Sequence, residues 1–142
     1  MALLVINALA TCVMVGVIWF VQLVHYPLLA TIGIDRAPEI AVEHQRRTGW
    51  VVGLPMASEG ITTLWLVFDL PGGVNSALPY VGGLLLAIAL GSTIFLSVPL
   101  HEKMAQAPTA DTGHKLVRTN WPRTIAWTLR GVLVAIMLLQ AT

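Results

Sequence analysis

Four stretches of this chain are almost purely apolar, and polar residues separate them unevenly. The runs cover about Ala2–Leu29, Thr48–Phe68, Pro79–Leu100 and Trp121–Gln140. Crossing a bilayer takes about 20 apolar helical residues, so each run predicts a membrane-spanning helix. Backbone groups in lipid must pair within the segment, so the expected fold is all-α, a four-transmembrane-helix bundle forming a single domain over residues 1–142. The first run has no Lys or Arg before it and exceeds the length of a signal-peptide core, so it reads as a retained helix.

The connections differ in character. Asp69 to Ser76 holds Pro71, Gly72, Gly73 and Asn75, a short turn rich in helix breakers. Asp35 to Arg47 is charged and reads as helical after Pro38, and His101 to Asn120 loops through Pro108 and Gly113. Arg36, Arg46, Arg47, Lys103, Lys115, Arg118 and Arg123 all fall in or beside these two longer connections. The positive-inside rule then predicts a multi-pass protein of the cell inner membrane, with both termini on the non-cytoplasmic side.

The few polar residues inside the runs are not scattered. At about 1.5 Å rise per residue, His25, His44, His101 and Asn120 fall near one level, the expected cytoplasmic edge of the hydrocarbon. Glu59 and Arg130 lie deeper, each some ten residues inside the cytoplasmic end of its run. His44, Thr48, Val51, Pro55, Glu59 and Thr62 share one helical stripe, as do Arg123, Trp127, Arg130 and Val134. Thr93, Ser97 and His101 recur every fourth residue, and Gln22 precedes Tyr26 by the same interval. An ionisable group at membrane depth costs about 2.5–3.5 kcal/mol on insertion scales, so these stripes should converge on the bundle interior.

Composition agrees. Hydrophobic residues make up 56% and charged residues 11%, against about 25% charged in soluble domains. The net charge of +1 and the lack of a basic stripe with interleaved aromatics argue against a nucleic-acid partner. The lone Cys12 allows no internal disulfide framework and reads as a small apolar side chain. No phosphate-binding loop, nucleophile elbow or HExxH motif is present.

The motifs Val24-His25-Tyr26-Pro27-Leu28, Glu43-His44 with Arg47-Thr48, Pro55-Met56 with Glu59, Val98-Pro99-Leu100-His101, and Asn120-Trp121 with Arg123-Thr124, Trp127 and Arg130 touch all four runs. In them the chain resembles a family of small four-helix bacterial integral membrane proteins that has no assigned activity. The resemblance implies fold and topology only. A weaker similarity, in layout alone, is to anthrone-oxygenase-like membrane proteins. The haem-binding four-helix protoporphyrinogen oxidases are similar in size.

Two functional readings follow. In the first, the protein is a membrane oxidoreductase. His25, His44, His101 and Glu59 hold iron, copper or zinc, or His25 and His101 hold a haem beside Asn120. Glu59 and Arg130 serve as the catalytic pair, with Glu59 moving protons and Arg130 balancing it or holding an anion. A lipophilic small molecule, such as a quinone or polyketide-like aromatic, enters from the lipid bilayer. Trp19, Trp50, Trp65, Trp121 and Trp127 would line its pocket, Trp50 and Trp121 suiting the interfacial belts at least as well, while Arg118 and Arg123 anchor at the interface. In the second, the protein is a non-enzymatic subunit or small transporter. Its histidines then bond to headgroups, water or backbone, and Glu59 and Arg130 form a pair that fixes helix register. Gly82, Gly83, Ala87, Ala89 and Gly91 would permit close helix contacts, including a homodimer.

Overall fold

A computed structural model describes all 142 residues. The protein is entirely helical. Helix α1 is the rod Ala2–Leu29, α2 is Ala37–Leu66, α3 is Ala77–Gln106, α4 is the short Thr112–Thr119 and α5 is Trp121–Ala141. The four long rods run up and down in a closed ring. α1 packs on α2 and α5, α5 packs on α3, and the last turns of α3 return to α2.

Three stretches are long and apolar enough to cross a membrane: Ala2–Leu29 with mean hydropathy 2.4, Ala77–Gln106 with 2.2, and Thr112–Ala141 with 1.6. This makes the chain a multi-pass membrane protein and corrects the expectation of four spans. Helix α2 has the length, at 30 residues, but not the apolarity. Its first third carries Glu39, Glu43, Arg46 and Arg47, and the remainder is diluted by Gly49, Gly53, Ser58, Glu59, Gly60, Thr62 and Thr63. The outer surface elsewhere is apolar, with Leu9, Leu23, Phe95 and Leu139 all more than 60% exposed, as suits contact with lipid.

Local sequence explains the rod ends and their irregularities. Pro38 sits in the first turn of α2, where its missing N–H costs nothing, and Glu39 complements the helix dipole there. Helices α1 and α3 each contain one π-helical turn, Val21–His25 and Thr93–Ser97. Each is followed two residues on by a proline, Pro27 or Pro99, which cannot donate to the preceding turn. The extra residue per turn re-aims the side chains around it, a common device at functional sites. Pro55 lies within the unbroken α2 helix. In the turn after α2, Gly73 has φ +86, and a Cβ there would come within 2.5 Å of the Gln140 carbonyl oxygen, so glycine is required.

The interior alternates between apolar and polar layers. Leu4, Leu66, Leu133, Val134 and Met137 fill the end that holds both termini. Met14, Ile18, Ala89, Ala126 and Trp127 fill the middle. Val21, Tyr26, Leu29, Met104 and Leu116 fill the far end. The small residues of α3 are partly spent inside: Ala89 is fully buried, and Gly82 lies against the Arg130 guanidinium.

Candidate functional site

The polar layer nearer the termini is built on Glu59, which is 0% exposed. Its Oε1 accepts from Arg130 Nε at 2.7 Å and from Thr11 Oγ1 at 2.8 Å. Its Oε2 accepts from the Trp127 indole N–H at 2.9 Å. Arg130 is 1% exposed, and its other nitrogens donate to Thr63 Oγ1 at 3.0 Å and to the Gly82 carbonyl. Asn7 Nδ2 lies 2.8 Å from Thr62 Oγ1 and 3.0 Å from Thr63 Oγ1, tying α1 to α2. Every polar side-chain atom of Glu59 and Arg130 thus has a partner within the protein.

The second polar layer is different. His25 Nε2 and His44 Nδ1 are 2.6 Å apart, with rings stacked at 4.5 Å between centroids. His44 and His101 follow at 4.7 Å, and the Tyr26 hydroxyl meets His101 Nε2 at 2.8 Å. Thr48 Oγ1 is 3.1 Å from His44 Nδ1. Three helices thus contribute one stacked column of imidazoles. Arg123 donates to Ser97 Oγ at 2.5 Å. The residual capacity is unusual: His101 Nδ1 and Arg123 Nε are buried with no hydrogen-bond partner.

His44, His101, Tyr26 and Arg123 line a cavity of about 260 Å³ together with Gln45, Thr48, Thr93 and Ser97, and apolar side chains including Met14, Ile18, Met56 and Trp127 form the rest of its wall. Val17, Val21 and Thr48 are shared with an open groove between α1 and α2 that reaches half-exposed His25. Burial pushes the His44 imidazole down to about 4, and the neighbouring His25 and Arg123 act in the same direction. His44 is therefore neutral near pH 7, able to accept a proton at one nitrogen and donate at the other.

The predicted site residues thus divide between two places. His25, His44 and His101 come together as expected from their common depth. Glu59 does not join them, since its oxygens are held by Arg130, Thr11 and Trp127 in the other layer. Asn120 lies off the histidine column: its Nδ2 donates to Gln22 Oε1 at 3.0 Å, and Gln22 Nε2 donates to the Val117 carbonyl at 3.2 Å, locking α5 to α1. No set of three or more His, Cys, Asp or Glu side chains is arranged to hold a metal ion. The imidazoles stack instead of fanning about one point, and His44 lies between His25 and His101, the pair expected to hold a haem.

Sequence reasoning undervalued Tyr26 and Arg123. Both lay on the right stripes, Tyr26 four residues after Gln22 and Arg123 four before Trp127. Of the five tryptophans, Trp127 alone lines the cavity, while Trp50 is 82% exposed.

These features define the class: a helical multi-pass membrane protein with one saturated and one unsaturated buried polar layer. In comparisons with known protein families, curated proteins and solved structures, none matches the chain.

Proposed function

We propose that this protein holds a small, flat, oxygenated lipophilic molecule in the cavity and exchanges protons with its polar end. The supporting observation is the convergence of His44, His101 and Tyr26 on a cavity whose lining is otherwise mostly apolar. A ligand oxygen there would meet His101 and Tyr26 as one hydrogen-bonded acid–base pair. His44 hands a proton to His25 across their 2.6 Å contact, and His25 is half-exposed beside the groove. Protons therefore have a route between the cavity and the surface. Such a site manages the protons taken up or released when a quinone- or phenol-like ring is reduced or oxidised, with the electrons exchanged with a separate redox partner, and this is the oxidoreductase reading. The groove between α1 and α2 gives the ligand lateral access from the bilayer. The basic residues of the two longer connections support a cytoplasmic placement of this end of the bundle.

The test uses 2-naphthol binding to protein in lipid nanodiscs, read by quenching of tryptophan fluorescence. Saturable binding should be abolished by Met56→Trp, which fills the cavity, and weakened about tenfold by His101→Ala through loss of its hydrogen bond. Binding that neither substitution alters would overturn the reading.

A second reading rests on the partnerless Nδ1 of His101 beside the other two histidines. If one ring turns, the three imidazoles would suit iron, copper or zinc. Metal content per chain, measured on protein purified without chelator, decides it. A stoichiometric ion lost on His101→Ala supports this reading, and a metal-free protein refutes it.

A further inference from the structure

The cavity holds an uncompensated cation. Of its 17 lining residues none is Asp or Glu, and Arg123 is the one Lys or Arg among them. The ion pairs of the chain are Arg46–Glu43, Arg47–Glu43, Lys115–Asp111 and Arg130–Glu59, so Arg123 has no carboxylate partner. Its protein partners are neutral hydroxyls, Ser97 Oγ and, beside the guanidinium, that of Tyr26, and its Nε is buried without a partner. The contrast with Arg130 is direct. That guanidinium, two helical turns along the same helix, is matched by Glu59 and saturated. A guanidinium that borders a low-dielectric cavity without a counter-charge is costly unless an anion arrives to pair with it.

Resting on the reading of the cavity as a ligand site, we propose that its natural ligand is an organic acid: a flat apolar body bearing a carboxylate or an ionised enol or phenol, paired with Arg123. Arg123 Nε and the nitrogen not given to Ser97 supply a two-pronged donor edge for the anion. Tyr26 and His101 then face the ring oxygen on the adjoining wall. Arg123 is the specificity residue, selecting the acid over neutral molecules of the same shape. Ser97 is a positioning residue that holds the guanidinium toward the cavity from the π-helical turn of α3.

The experiment compares 2-naphthoate with its neutral isostere 2-naphthamide, each titrated by calorimetry into protein in phosphatidylcholine nanodiscs at pH 7, with partition into empty nanodiscs subtracted. The wild-type protein should prefer the naphthoate by about tenfold or more, the scale of a charge-assisted hydrogen bond. Arg123→Gln should bring the two affinities within about threefold. Arg123→Lys should keep part of the preference, because the charge persists while the fork is lost. Ser97→Ala should reduce the preference without reversing it. Equal binding of both compounds by the wild-type protein would overturn the assignment of an acidic ligand and leave the lipophilic site standing. This arm needs no variant to fold. Binding of neither naphthoate, naphthamide nor 2-naphthol would overturn the ligand site itself, and this proposal with it.

Discussion

Replacing Glu59 by leucine would leave a guanidinium buried at 1% exposure with no counter-charge. Arg130 would keep its contacts to Thr63 and Gly82 but lose the 2.7 Å ion pair. Trp127 Nε1 and Thr11 Oγ1 would lose their acceptors in the same step. Breaking one side of a buried pair costs about 3–5 kcal/mol, which already includes the unpaired charge left behind. Arg130→Met should cost a similar amount, because Glu59 would then be the stranded ion. The double variant Glu59→Leu/Arg130→Met strands neither. It retains a penalty for the orphaned indole and hydroxyl groups, about 1–3 kcal/mol for each buried donor. Its total cost, about 2–6 kcal/mol, should therefore fall short of the sum of the singles by about 4 kcal/mol. Unfolding in mixed micelles by titration with sodium dodecyl sulfate, followed by helical circular dichroism, measures all three. Additive singles, or a Glu59→Leu cost below about 1 kcal/mol, would refute the account of this layer as a coupled structural lock.

Three further outcomes follow from the same coordinates. Gly113→Ala should cost about 1–3 kcal/mol in that assay, since the added Cβ would lie 2.5 Å from the Ala30 Cα and neither backbone can yield cheaply. Asn7→Ala, which removes the bridge from α1 to Thr62 and Thr63, should cost about 1–3 kcal/mol, and Asn7→Asp should not rescue it because the bonds need a donor. The third outcome concerns pH. The His44 imidazole titrates at about 4 in the fold against an ordinary 6.5, so the stability tied to its neutral form is present above pH 6.5 and lost as pH falls toward 4. The thermal midpoint should drop between pH 7 and pH 4.5, and the drop should be shallower in His44→Gln. Equal slopes in the two proteins would contradict the assignment.

The histidine layer was legible because helical rise is nearly constant: counting residues from the rod ends puts His25, His44 and His101 at one depth, and straight helices keep them there. The same arithmetic separated Glu59 from His44, on the same helix, by 15 residues, or about 22 Å, farther than any first-sphere ligand can reach. Grouping Glu59 with the histidines overrode a distance the sequence already contained. The count of spans failed for a related reason. Length alone admits Thr48–Phe68, but its Gly, Ser, Thr and Glu residues lower its apolarity below that of the other three rods. Tyr26 was harder to place. Stripe arithmetic assumes α-helical spacing, and the π-helical turn at Val21–His25 shifts the register just before it.

What no periodicity could supply is the difference between the two arginines of α5. Arg123 and Arg130 lie seven residues apart on one stripe and look equivalent along the chain. Three-dimensional partners distinguish them. Arg130 meets a carboxylate, a hydroxyl and a carbonyl from two other helices, which satisfies its charge and fork within the protein. Arg123 meets only neutral hydroxyls, those of Ser97 and Tyr26, and a cavity. A bundle needs some fully satisfied polar contacts to fix the register of its helices, and these gain nothing by remaining open. A ligand site needs the reverse: polar atoms held in place by the scaffold yet short of partners. The saturated layer around Glu59 sits toward the chain termini and holds α1, α2, α3 and α5 together. That rigidity is what allows the layer at His44, His101 and Arg123 to keep its unpaired atoms around an open cavity instead of collapsing to satisfy them.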